Sequence, residues 1–157
     1  MMPTDPDGQR PLPARRSLPH GTPTWVKNGS LYFLTVCGQP RGENQFCHPE
    51  VANAIFETVA HRHAVQDWFM RIILLMPDHL HALISFPNDS ILTVTVRQWK
   101  SYVARRHGIR WQRDFFEHRL RHDESTEQKA DYLRQNPVRA GLVAQAEEWR
   151  YVWEPER

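Results

Sequence analysis

Met76-Pro77-Asp78-His79-Leu80-His81-Ala82-Leu83-Ile84 is the stretch that decides how the rest of the chain is read. Pro77-Asp78 is a turn signal, and the residues behind it make an apolar run of strand-like length. Side chains alternate between faces along a β-strand, so residues i and i+2 share one face. His79 and His81 therefore stand side by side, with Leu80 turned the other way. Two imidazoles set like this can grip one metal ion, neutral histidine being the commonest protein metal ligand. Histidines two apart also occur by chance as core or turn residues, so the pair takes its meaning from the surrounding chain.

Just before it, residues 68–76 form a near-continuous apolar run. With 79–86 they predict a hairpin across Pro77-Asp78. Further back, residues 30–37 (SLYFLTVC) are rich in β-formers and predict a first strand. Pro49 suits the first residue of a helix, which buries a stripe of Val51, Ile55 and Val59 with Ala52 and Phe56 beside it. That helix carries a second His-x-His, His61-Arg62-His63. On a helix, residues two apart lie about 200° apart around the axis, so this pair reads as surface or helix-end residues.

Beyond the hairpin, Ser90 is a candidate N-cap. The spacing of Leu92, Val96, Trp99 and Val103 predicts a helix ended by Gly108. Arg97, Lys100, Ser101 and Arg105 are assigned to its opposite face, which is either merely solvated or a phosphate-binding surface. Residues 115–120 predict a last strand, with His118 either in the core or near the site. Ser125-x-x-Gln128 resembles a capping box and opens a helix from Thr126 to Asn136, stopped by Asn136-Pro137 and Gly141. Tyr132 and Asn136 sit at i and i+4 and share a face of it. Trp149, Tyr151 and Trp153 read as a hydrophobic clasp on the body. The order strand, helix, strand, strand, helix, strand, helix predicts an α+β fold: a ferredoxin-like antiparallel sheet covered by helices, the last of which carries the tyrosine.

The chain has 157 residues, 40% hydrophobic and 24% charged, with a net charge of +2. Those values suit an ordinary globular protein and do not by themselves announce a nucleic-acid partner, although arginines crowd the second half. Proline punctuates residues 1–24, which read as a flexible arm; Arg15-Arg16 and His20 in it are either solvated or within reach of a phosphate backbone. Trp25-Val26 would pin that arm and Asn28-Gly29 marks a turn, leaving residues 25–157 as a single domain. Two cysteines, Cys37 and Cys47, form no CxxC pair, which argues against a zinc module and fits a reducing cytoplasm. No apolar run reaches the ~18 residues needed to span a bilayer, and no signal-peptide core is visible.

A metal-binding strand beside a helix that offers a tyrosine and an amide suits phosphodiester chemistry. A divalent ion neutralises the nonbridging oxygens, and a tyrosine hydroxyl can then attack as a covalent nucleophile. The bond energy is kept in a phosphotyrosine, so rejoining needs no ATP.

Five stretches carry a resemblance that covers roughly residues 22–153: YFLTV, MPDHLHALI, WKSYVARR, WQRDFFEHRLR and KADYLRQNPVRAGLV, in that order. They resemble the HUH single-tyrosine transposases of bacterial insertion sequences, in particular the REP-associated tyrosine transposases. That resemblance implies a nuclease and strand transferase acting on single-stranded DNA that folds into hairpins. It matches His79 and His81 to metal ligands and Tyr132 to a nucleophile that takes the 5′ phosphate and leaves a free 3′ hydroxyl. Asn136 falls where many relatives carry a glutamine as third ligand, and Asp78 replaces a commoner asparagine. The implied ion is Mg2+ or Mn2+, although magnesium prefers an all-oxygen shell and imidazole suits later divalent ions. Arg97, Lys100 and Arg105 are the expected DNA contacts, and the protein is expected to act as a monomer or homodimer, with Tyr132 serving its own site or a partner's. Two alternatives stand beside this. One is a zinc hydrolase in which His79 and His81 activate water and Tyr132 is structural; the other is a hairpin-binding protein that has lost catalysis.

Overall fold

A computed structural model describes residues 30–121 and 125–156. The arm at 1–24, the Trp25-Val26 anchor and the Asn28-Gly29 turn lie outside the described residues. The first strand, β1 (Leu31–Cys37), leads through a loop to helix α1 (Pro49–Ala64), the hairpin strands β2 (Phe69–Leu75) and β3 (His79–Ser85), helix α2 (Leu92–His107) and strand β4 (Phe116–Arg119). Helix α3 (Thr126–Arg134), the short helix α4 (Asn136–Arg139), a 3-10 turn (Ala146–Glu148) and strand β5 (Val152–Trp153) complete it.

The strands run antiparallel in the order β4-β1-β3-β2-β5. The first four in the order 4-1-3-2, with α1 and α2 as crossovers, make the expected ferredoxin-like arrangement. The expected aromatic clasp is present, Tyr151 and Trp153 packing on one core and Trp149 on the other, and its end adds a fifth strand, Trp153 and Val152 pairing with Ile73 and Leu74 of β2. A two-residue strand leaves no alternation for sequence patterning to detect. Cys37 and Cys47 are both free thiols, and no helix among the described residues is long and apolar enough to cross a membrane.

Each sheet face has its own core. On one, α1 buries Ala52, Ile55 and Val59 and α2 buries Val96, Trp99 and Val103 against Leu34, Leu80 and Ile84. Pro49 stands in the first turn of α1, where its missing N–H costs nothing, and Gly108 ends α2 in the left-handed region at φ 69°. Ser90 does not cap α2. Ile91 takes that position without a side-chain bond, and the Ser90 N–H donates to the Pro87 carbonyl at 3.0 Å in the turn before it. On the other face, α3 sets Ala130 and Leu133 on Leu31, Ile72, Leu74 and Leu83. Ser125 does cap this helix, accepting from the Gln128 N–H.

The β2–β3 register shifts between Met70 and Ile72, leaving Arg71 at the irregularity. Its guanidinium reaches Glu154 at 2.9 Å and Glu127 on α3 at 2.5 Å, and Glu154 also accepts from Arg134 of α3 at 2.6 Å. These pairs tie α3 to the sheet. Burial alone would raise the Glu154 pKa; the hydrogen bonds and charges of Arg134 and Arg71 outweigh it and hold the carboxyl below its ordinary range. A carboxylate with a depressed folded pKa contributes fully above its unfolded value of ~4.3 and loses that contribution as pH falls through the folded value. Glu154→Gln should therefore lower stability by about 1 kcal/mol at neutral pH, the pair being partly exposed. Urea unfolding repeated near pH 3 should show the gap between variant and wild type shrinking.

Candidate functional site

Alternation along β3 sends Leu80, Ala82 and Ile84 into the core beneath α1 and α2 and turns His79, His81 and Leu83 to the α3 face. The turn that feeds the strand is held from several sides. Gly38 N–H donates to the Asp78 carbonyl at 2.7 Å, and Gln45 N–H to the Pro77 carbonyl at 2.9 Å. A Cβ at Gly38 would stand 2.8 Å from the Gln45 side-chain nitrogen and 3.2 Å from that same Asp78 carbonyl. A side chain here would push on the Gln45 amide and crowd the Asp78 carbonyl, so glycine fits this approach best.

The two histidines meet edge to face, ring centroids 4.9 Å apart. Each is oriented through its Nδ1. His79 Nδ1 lies 2.7 Å from Asp78 Oδ1, and an ionised carboxylate can only accept, so Nδ1 carries a proton. His81 Nδ1 lies 2.9 Å from the Thr35 hydroxyl, and Phe33 flanks its ring at 5.3 Å. Burial would raise the Asp78 pKa, but bonds from Arg41, His79 and the Gly42 N–H overcome it and keep the carboxyl ionised well below its usual range. Burial, with the nearby charges of His79 and Arg139, pushes His81 down to about 4. His81 is thus neutral at physiological pH, the form a metal ligand needs. A histidine whose second nitrogen is held by a carboxylate, as in His79, has the usual architecture of a metal-ligating imidazole.

Tyr132 sits on α3, the helix packed over this same face, and its side chain is exposed. The helix stops at Arg134, just before Asn136-Pro137, but the chain then winds again. Proline fits the first turn of a helix, so the backbone continues through one more turn as α4. That turn brings up Arg139, which sequence reasoning did not single out. It lies at i+7 from Tyr132 and i+3 from Asn136, a spacing that would have found it had Pro137 not been read as a terminator. Its guanidinium lies over the Tyr132 ring at 4.0 Å and donates to the Tyr132 carbonyl at 2.8 Å and Asn136 Oδ1 at 2.9 Å. Since its charge also acts on His81, Arg139 links the tyrosine stripe to the histidine pair. Among the described residues, no group of three or more His, Cys, Asp or Glu side chains is placed to hold a metal. A third donor at this pair would have to come from another residue type, such as the Asn136 amide.

The remaining expected site residues do not gather here. Arg97 and Arg105 are exposed on α2, on the other side of the sheet, and line a shallow groove with Arg62, Ser101 and Tyr102. Lys100 does not join them. It is buried at 6% exposure, its ammonium donating to the Gln112 and Arg113 carbonyls at 2.8 and 3.2 Å. His118, one option for the core, is exposed on edge strand β4. Of the second His-x-His, His61 is exposed at the end of α1, whereas His63 is half-buried: its Nδ1 accepts from the Met70 N–H at 3.0 Å and its ring meets Trp153.

No protein-family model matches the chain. A Haemophilus influenzae protein provisionally described as a REP-associated tyrosine transposase is 29% identical over 143 residues, covering 78% of each chain. The REP-associated tyrosine transposase of Escherichia coli is 28% identical over 81 residues, half of this chain and 49% of that protein. Among solved structures, one described as a REP-associated tyrosine transposase bound to a REP hairpin superposes with a TM-score of 0.66 at 21% identity. It covers 78% of this chain and 75% of that one. This chain is similar to REP-associated tyrosine transposases. The α+β fold is shared with that solved transposase.

The burial of Lys100 has a consequence of its own. Lys100→Met would leave two carbonyls without their donor, and should destabilise the protein by about 1–3 kcal/mol. A thermal or urea melt that matched wild type would mean that those carbonyls find another partner at no cost.

Proposed function

We propose that the protein is a metal-dependent single-strand DNA endonuclease and strand transferase that acts on hairpin DNA through a 5′-phosphotyrosine. The observation that carries this reading is the meeting on one sheet face of two Nδ1-anchored histidines and the helix that bears Tyr132. The similarity to transposases supports it, as does the hairpin named in the description of the solved relative. Tyr132 Oη would form a bond to phosphorus while the bond to the 3′ oxygen breaks. The departing oxygen takes a proton and leaves as a 3′ hydroxyl. The tyrosine proton passes to solvent, to which the exposed side chain has access. Attack of a 3′ hydroxyl on the phosphotyrosine reverses the bond changes and transfers the strand.

His79 and His81 would hold the divalent ion through Nε2. Asn136 Oδ1, which keeps a lone pair beyond its bond from Arg139, would be the third ligand. Two nitrogens and an amide oxygen suit Mn2+ better than Mg2+. Such an ion supplies charge neutralisation at the nonbridging phosphate oxygens. Arg139 holds the Tyr132 ring and the Asn136 amide in one arrangement and sets a further positive charge beside the reacting phosphate. The seating of α3 on its own sheet through Arg71 and Glu154 supports a reading in which Tyr132 would serve the site of its own chain. Arg97 and Arg105 would track stem phosphates from the far side of the sheet.

Tyr132→Phe removes one hydroxyl from an exposed ring, so the variant should fold and bind hairpin DNA normally. It should give neither nicking nor a protein–DNA adduct that survives denaturant and disappears with protease. His79→Ala should also lose both products, and added Mn2+ should restore part of that activity but none of the phenylalanine variant's. A phenylalanine variant that still cuts, with no adduct in wild type, would replace this reading by hydrolysis through activated water. In a separate titration, Arg97→Gln and Arg105→Gln should each lower the log–log salt slope of hairpin binding by about 0.9 for a duplex phosphate. An unchanged slope would put the stem elsewhere.

A further inference from the structure

Phe116 is a large apolar side chain that the folded body does not use. Its neighbour Phe115 turns to the helix-covered face and packs on that core, the Lys100 ammonium 5.7 Å from its ring. Phe116 points to the opposite face and is 63% exposed, the most exposed large hydrophobic residue described. A lone surface phenylalanine needs no explanation by itself. Its position in the register does. Thr35 of β1 pairs with His81 on one side and with Phe116 on the other. Residues directly opposite in antiparallel strands share a face, so His81, Thr35 and Phe116 form one row across β3, β1 and β4. Two strand spacings separate the ends of that row, about 10 Å. The middle member is the same threonine whose hydroxyl orients His81.

We infer that Phe116 is a stacking platform for an unpaired base of the DNA strand lying in the histidine site. This rests on the nuclease reading given above, which brings a single strand to that face. An exposed aromatic ring beside a cationic site is what sequence-tolerant single-strand binding uses, because every base offers a π-face. The other obvious occupant of an edge strand is a second copy of the chain. Here β4 is four residues long and carries Glu117, His118 and Arg119, the short charged edge by which sheets resist pairing. A base therefore fits this ring better than a strand does.

The test measures binding alone, with the full-length protein in chelator so that no chemistry intervenes. The probes are labelled oligothymidylate, an abasic oligomer of the same length, and a blunt duplex. Phe116→Ala should weaken oligothymidylate binding by about 5- to 150-fold, the range expected for loss of one base stack. Phe116→Trp should keep wild-type affinity, and the abasic oligomer and the duplex should bind wild type and the alanine variant equally. Equal affinity of alanine variant and wild type for oligothymidylate would overturn the inference, as would the same loss on the abasic oligomer. So would a wild-type dimer that the alanine substitution splits in sedimentation, which would assign the ring to a second copy. Adduct formation by wild type with divalent metal is scored separately. Its absence counts against the nuclease reading, whereas the oligothymidylate comparison alone decides the role of Phe116.

Discussion

Strand β3 is paired along both edges, to β1 and to β2, and that double pairing fixes which way every one of its side chains points. A slip of one residue would drive His79 and His81 under α1 and α2 and expose Leu80, Ala82 and Ile84. Two imidazoles without partners would then be buried in an apolar core, at a cost that such a core does not tolerate. Register and site are the same constraint here. The turn before the strand supports it, Gly38 donating to the Asp78 carbonyl so closely that a Cβ would crowd it. Asp78 anchors the loop through Arg41 and Gly42 with one oxygen and orients His79 with the other. One carboxylate thus serves both the fold and the histidine.

Charge is distributed unevenly about the pair. Asp78 gives His79 an anionic partner, whereas His81 has only a neutral hydroxyl and feels the cationic Arg139. A cation close to a would-be metal site is unfavourable unless an anion joins them. The proposed substrate supplies that anion, since a phosphodiester placed between the histidines and Tyr132 would face Arg139 as well. The arrangement is therefore better matched to a ternary state with DNA than to a metal bound alone.

Much of this was legible in the sequence because it depends on short periods. The i, i+2 spacing of His79 and His81 and the i, i+4 spacing of Tyr132 and Asn136 both carry through to shared faces. The failures are instructive. Lys100 lies four residues after Val96 and three before Val103, on the buried stripe, and was assigned outward only because it is a lysine. A long stem lets the ammonium reach the carbonyls of Gln112 and Arg113 from a buried position. His118 shares its face with Leu120, but α3 covers Leu120 and does not extend over the edge of the sheet. Alternation predicts a face, not what lies upon it. Pro137 reads as a stop in the sequence but begins a further turn in the structure, and that turn carries Arg139.

The placement of Tyr132 is a matter of anchoring. Helix α3 has nine residues and buries only Ala130 and Leu133, too short a helix and too small an apolar face to hold itself. The ionic bridge from Arg71 at the β2 irregularity to Glu127 and Glu154, with Arg134 on the same carboxylate, adds ties at its rim. Below it the chain runs on through Pro137 into α4, so Arg139 is carried rigidly with the tyrosine. A helix held by polar contacts at its rim and by few apolar ones beneath can shift without opening the core on the other face of the sheet. Tyr132 is thereby coupled to Arg139 more tightly than either is coupled to the histidines, and any adjustment to the proposed DNA substrate would move Tyr132, Asn136 and Arg139 together.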